Sequence, residues 1–279
     1  MTIPSIRVVP PARPFKRTLF TISPSKCGDL VCPKRYHAKH IAISVPVEPW
    51  SHALTYGNGL HKVMYLTYQP GNRVPIHERN IATIARTAFS GLTYPQDEEY
   101  RREPDIERAI QTATKYRASD PDTLHTMQVE SDERIETGKA KGEPITLFSR
   151  FDRIVIRPDE PDVLRLIDYK TGSVGEIDLD SATLTLVVAK LALTERYGDK
   201  KLVLCYDYVN ETGLAHREEV TPDRIRGLWK PLHERAHAVY YGDDRTAIPG
   251  PHCQFCPIRT ECRPVHEIGD ELLEGLFEE

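Results

Sequence analysis

No stretch of this 279-residue chain approaches the roughly 18 consecutive apolar residues of a membrane span. Its first residues, MTIPSIRVVPPARPFKRTLF, put prolines and arginines where a secretory signal would carry an apolar core. The expected location is the cytoplasm, with no membrane partner. Positive charge is not in excess either, since 37 Lys and Arg stand against 41 Asp and Glu for a formal net charge of −4. Whole-molecule charge therefore gives no support to nucleic-acid binding, which would need a local basic track. There is no Gly-x-x-x-x-Gly-Lys-Ser/Thr loop, so no helicase motor resides here. Internal repeats and low-complexity segments are absent too. What remains is the composition of a soluble globular protein, 39% hydrophobic and 28% charged, long enough to bury a large core as one domain.

The most informative segment is LFSRFDRIVIRPDEPDVLRLIDYKTG, residues 147–172. Two runs rich in β-branched residues, 150–156 and 163–170, flank RPDEP, a loop composition. If the hairpin closes around Asp159 and Glu160, position 152 lies nearly opposite position 168. Cross-strand neighbours have Cβ atoms about 4.5–5.5 Å apart, so Asp152 and Asp168 can share one divalent cation. The period of two puts Lys170 on the face of Asp168. Two carboxylates that close repel unless a cation sits between them, and oxygen ligands suit Mg²⁺ or Mn²⁺. A solvated hairpin can carry such residues by chance, but Asp168 follows Leu166-Ile167 in a strand too hydrophobic to be peripheral.

Cysteine supplies the second signal. Cys253, Cys256 and Cys262 form C-x2-C-x5-C near the C-terminus, and Cys32-Pro33 lies near the N-terminus in SPSKCGDLVCPKRYHAKH. Four thiolates complete a metal site for either Zn²⁺ or an iron–sulfur cluster, and spacing alone does not choose. Six cysteines without a secretory signal suit a reducing compartment better than disulfides. Joining Cys32 to Cys253 closes a loop of about 220 residues, worth roughly 5 kcal/mol of chain entropy, so such a centre would act as a clasp. Cys205, in the apolar run LVLCYDY, and Cys27 read as buried thiols, although Cys27 is near enough to Cys32 to be a rival ligand.

The segments FDRIV and LIDYKTG resemble the second and third motifs of RecB-type nucleases in the PD-(D/E)XK superfamily, and Gly57-Asn58-Gly59-Leu60-His61 resembles their first. The resemblance implies a restriction-endonuclease-like α/β core with a helical insertion. It implies a metal site of His61, Asp152, Asp168 and the carbonyl of Tyr169, with Lys170 as the catalytic lysine. The cysteine pattern resembles the [4Fe-4S] motif of that branch, including AddB-like subunits and CRISPR-adaptation nucleases, which implies a cluster on Cys32, Cys253, Cys256 and Cys262. Two departures stand out. The family's Gln-x-x-x-Tyr motif falls on Thr185 and Ala189, and a usual glycine is Ser149.

The expected organisation is a tail or an edge strand at 1–20, one nuclease domain over 21–265 with a helical insertion at about 51–118, and an acidic tail at 266–279. A helix is expected to start at Ser23-Pro24 and carry Cys32 near its end. Helices follow through His61, through 81–89 and from about Gln96. Strands are expected at 125–134, 145–156 and 163–170, then a helix over 179–197, strands at 201–209 and 215–220, and a helix from Thr221-Pro222-Asp223 to Tyr241. The function expected is metal-dependent cleavage of DNA, single-stranded for preference, by an exonuclease or end-trimming endonuclease of repair, recombination or defence. Lys34 and Arg35 are the candidate phosphate contacts, and a helicase or integrase would come from another chain. The alternatives are a nuclease-fold subunit that binds DNA or a partner with little cleavage, and a zinc-stabilised interaction module.

Overall fold

The computed structural model describes residues 7–8, 21–42, 50–69, 78–140, 143–242, 244–254 and 256–262. Seven strands form one mixed sheet: β1 (Arg7–Val8), β2 (Thr21–Ile22), β3 (Thr126–Ala140), β4 (Glu143–Arg157), β5 (Glu160–Lys170), β6 (Lys201–Asn210) and β7 (Gly213–Val220). The order is β1-β3-β4-β5-β6-β7, with β2 parallel to β4. Alternation decides which face each side chain serves. On β5, Leu164 and Leu166 join one buried cluster, while Ile167 and Tyr169 join another on the opposite face.

The first face is covered by α6 (Leu179–Tyr197), α7 (Trp229–Tyr241) and the short α1 (Pro24–Cys27). The side chain of Asp178 caps α6 by accepting from the backbone N–H groups of Asp180 and Ser181 at 3.1 and 3.2 Å. This helix connects β5 to the parallel strand β6. The second face carries α3 (His52–Thr67), α4 (Glu78–Ser90) and α5 (Arg102–Ser119), the last entered through a 3₁₀ turn at Gln96–Arg101. Close packing of α3 on α4 depends on Gly59, where a Cβ would lie 2.4 Å from Cζ of buried Phe89.

Two expectations need correction. The helix from Ser23 ends after one turn at Cys27, tightens into 3₁₀ geometry over Gly28–Val31 and breaks at Cys32. Cys32 is extended (φ −130°, ψ 105°), the conformation that a following proline imposes, and Pro33 opens a second short helix, α2 (Pro33–Tyr36). The helix foreseen from Thr221 begins only at Trp229. Residues 222–227 form turns that end at Gly227, whose φ of +90° lies outside the helical region. Of residues 1–20, read as a tail or an edge strand, Arg7–Val8 is an edge strand against β3, and the rest, like the acidic segment 266–279, lies outside the described residues.

Candidate active site and cysteine cavity

The β4–β5 ladder pairs Arg153 with Ile167, Ile154 with Leu166 and Val155 with Arg165. One further step would set Asp152 against Asp168, and there the ladder stops and the strands fork. Beyond the fork, the edge of β4 is taken by β2, at Thr146 and Leu147. At the fork the Asp152 side chain replaces a main-chain acceptor, taking a hydrogen bond from the Tyr169 N–H to Oδ2 at 2.8 Å. Its other oxygen lies 3.2 Å from His61 Nδ1, brought over from α3. Lys170 Nζ donates to Asp168 Oδ2 at 2.9 Å and stands 4.9 Å from the Tyr206 ring centroid. The turn, the facing of 152 and 168 and the shared face of 168 and 170 follow the alternation of the sequence.

The charges here are matched in pairs. Loss of solvation raises the Asp168 carboxyl above its ordinary range, Lys170 pulls it back and Asp152 pushes it up again. Desolvation would lower the His61 imidazole, but the Asp152 carboxylate and its hydrogen bond, helped by Asp168, raise it instead. Asp168 keeps 36% of its side chain accessible and Lys170 41%, so the pair opens to solvent while Asp152, at 14%, forms the floor.

Cys32, Cys253, Cys256 and Cys262 line one small cavity, with Lys34, Arg35, Ile248 and Ile258. These four cysteines come from opposite ends of the chain, and none is in a disulfide. The N–H of Ile248 donates to Cys32 Sγ at 3.5 Å, and that of Lys34 donates to the Thr246 carbonyl at 3.1 Å. Burial raises the Cys256 thiol, and the neighbouring Arg35 draws it down. Arg35 is itself occupied. Its guanidinium contacts buried Asp29 at 2.7 Å and donates to the His252 carbonyl at 3.3 Å, so a phosphate would compete with Asp29 for it. Cys27 is fully buried in the first-face core and does not line the cavity, and Cys205 is equally buried, its thiol pushed up to about 12 by desolvation. Among the described residues, no three His, Cys, Asp or Glu side chains stand as a ready-made metal ligand set.

A family model described as the PD-(D/E)XK nuclease superfamily matches residues 21–263. The chain belongs to the PD-(D/E)XK nuclease superfamily. Among solved structures, a protein of Eubacterium rectale provisionally described as an exonuclease matches with a TM-score of 0.53 at 13% identity, over 88% of this chain and 89% of that one. That likeness supports the fold. The structure of SSO0001 aligns at 13% identity over 90% and 89% of the two chains, with a TM-score of 0.35 that carries no argument. No curated protein matches the sequence significantly.

This PD-(D/E)XK nuclease has features that the sequence did not disclose. Glu130, on β3, falls between the pairs Val129–Arg153 and Ser131–Phe151, at the level of Asp152 on β4, and adopts φ +44°. A non-glycine residue in that region stores strain, and such residues cluster at functional sites. Nothing in the tripeptide Val-Glu-Ser signals it. Arg153, next to Asp152, is fully buried, pairs with Asp120 at 2.8 Å and lies 4.1 Å from the Tyr68 ring centroid. Behind it Arg217 bridges Asp207 and Asp122, each at 2.6 Å. At the positions of the missing Gln-x-x-x-Tyr motif, Thr185 and Ala189 are buried, and Ala189 is part of the first-face core.

No helix among the described residues is long and apolar enough to cross a membrane.

Proposed function

We propose that this nuclease is a Mg²⁺- or Mn²⁺-dependent deoxyribonuclease acting on single-stranded DNA, as an exonuclease or end-trimming endonuclease in repair, recombination or defence. The observation that carries this reading is the fork at which Asp152, Asp168, Lys170 and His61 converge. Asp152, Asp168, His61 and the Tyr169 carbonyl would hold the cation, which when bound lowers the pKa of a water and neutralises charge on the phosphate. The chain's own contributions are positional and electrostatic. Asp152 is fixed by the Tyr169 N–H, and His61 is fixed by Asp152. Lys170 shares its ammonium between Asp168 and solvent, where it can orient a nucleophilic water and stabilise charge that grows in the transition state.

The four-cysteine cavity would hold a [4Fe-4S] cluster, or Zn²⁺ as the alternative, clasping the two ends of a nuclease domain spanning about 21–265. Lys34, at the cavity wall, is the candidate for a phosphate contact.

The test is cleavage of end-labelled single-stranded DNA with and without divalent metal. Asp168→Ala should abolish cleavage, and Lys170→Ala should lose the chemical step while keeping metal. Cleavage by Asp168→Ala at the wild-type rate would show that the site lies elsewhere. Metal and DNA binding without any cleavage by the wild type would favour a binding subunit.

A further inference from the structure

Strand β4 has one edge left open beside the candidate site. Along its other edge β3 pairs continuously past the fork. On the open edge the β5 ladder ends at Arg153 and the β2 pairing is confined to Thr146 and Leu147, so among the described residues positions 148–152 face no strand there. Arg150 stands in the middle of this gap. Alternation puts it on the face of Asp152, two residues or about 7 Å along the strand. The hydrogen bond to Asp132 raises the Arg150 guanidinium above its already high range, and the charges of Asp132, Glu130 and Asp152 add to that against the loss of solvation.

The Arg150 side chain is accessible and yet fixed. It faces Asp132 across the β3–β4 ladder, and its Nε and Nη2 donate to the two oxygens of that carboxylate at 2.6 and 3.0 Å. This fork-on-fork contact uses one edge of the guanidinium. The other edge is turned away from Asp132, Nη1 has no partner among the described residues, and 54% of the side chain stays accessible. An exposed ion pair adds little to the stability of a fold, and β3 and β4 are already joined by a long ladder. What the pair provides is a guanidinium held in place next to Asp152. One cross-strand pair further out, the Arg134 guanidinium lies 5.5 Å from the Phe148 ring centroid, so positive charge continues along this face away from the acids.

We propose that Arg150 binds the backbone phosphate next to the scissile one, and that Asp132 is the positioning residue that holds its guanidinium ready. This rests on the nuclease reading above, which puts the scissile phosphate at Asp152 and Asp168. The ligand follows from chemistry, since a planar guanidinium with a free edge matches a pair of phosphate oxygens. It follows from spacing too: two residues along a strand span a distance comparable to that between adjacent phosphates of an extended nucleic-acid chain.

The test compares wild type with Arg150→Ala, Arg150→Lys and the double variant Asp132→Asn/Arg150→Ala on labelled oligo(dT). In steady-state cleavage with Mg²⁺, Arg150→Ala should raise KM about tenfold, the low end for a hydrogen bond to a charged group. Its kcat should be kept, the signature of binding lost equally from ground and transition states. In a Lys170→Ala background, which leaves the strand intact, anisotropy titrations at fixed Mg²⁺ should show Arg150→Ala flattening the salt dependence of binding by up to about 0.7 units of slope. Arg150→Lys, which keeps the charge, should keep the slope. Unchanged KM and slope for Arg150→Ala would overturn the contact. So would recovery of the wild-type KM in the double variant, because Arg150 would then serve only as a counter-charge to Asp132. Absence of both cleavage and DNA binding by the wild type would instead overturn the nuclease reading beneath it.

Discussion

Replacing Asp152 with asparagine should make the metal-free protein more stable and the enzyme inactive. The new side chain can present its carbonyl oxygen to the Tyr169 N–H and its amide to a neutral His61 Nδ1, so both contacts of the present carboxylate have counterparts. The change removes one of two facing anions. At a cross-strand separation of about 5 Å, two unit charges repel by roughly 3 kcal/mol at an effective dielectric of 20 and under 1 kcal/mol in water. Because more than a third of Asp168 is accessible, the lower end applies after solvent screening, about 1 kcal/mol. At about pH 9, where an ordinary histidine is neutral, the melting temperature without metal should rise by about 2–4 °C. Added Mg²⁺ or Mn²⁺ at a hundred times Kd should stabilise the wild type by about 2.7 kcal/mol and the Asp152→Asn variant hardly at all. The assay is thermal unfolding followed by circular dichroism in four combinations of protein and metal. A variant that melts lower than wild type without metal, yet still gains stability from the cation, would refute the idea that Asp152 and Asp168 share it.

Acid should expose the buried network behind the site. Burial would raise the Asp122 carboxyl, but hydrogen bonds from Arg157 and Arg217 hold it below the ordinary range. A depressed pKa adds stability that is complete above the unfolded value near 3.9 and is lost as pH falls through the folded one. Asp122→Asn should therefore cost about 3–5 kcal/mol at neutral pH, and urea titrations should show that deficit narrowing below about pH 4; a constant deficit would refute the pairing. For the cysteine cavity, anaerobically purified protein should be brown, with broad absorption near roughly 400 nm, and Cys256→Ser should bleach it. Zinc without iron in protein made under iron-replete, anaerobic conditions would replace the cluster with the zinc alternative.

Alternation carried the central hairpin from sequence to structure. A strand that pairs Val155 with Arg165 must bring 152 and 168 together, and the period of two then delivers Lys170. The long apolar stretch of α6 and the run LVLCYDY are legible for the same reason: each is strongly patterned over many residues. His61 was legible only through resemblance, because the contact from α3 to β4 spans 91 positions and has no local periodicity. Helix boundaries failed where one residue's backbone overruled a pattern, at Cys32 before a proline and at Gly227 with positive φ.

Buried charge was the least legible feature, and it bears on how the site is held. Arg153 has the composition of a surface residue, yet it is fully enclosed, and two of its nitrogens, Nε and Nη2, have no protein partner among the described residues. A guanidinium in that state is costly unless something fixes it, and Asp120 and the Tyr68 ring do so on one side. The backbone of Arg153 is thereby anchored one residue from Asp152. On the adjoining strand Tyr169 sits in the second-face core one residue from Asp168. The two carboxylates are thus carried by backbone segments whose neighbours are locked inward, which holds the like charges in place where the strands fork.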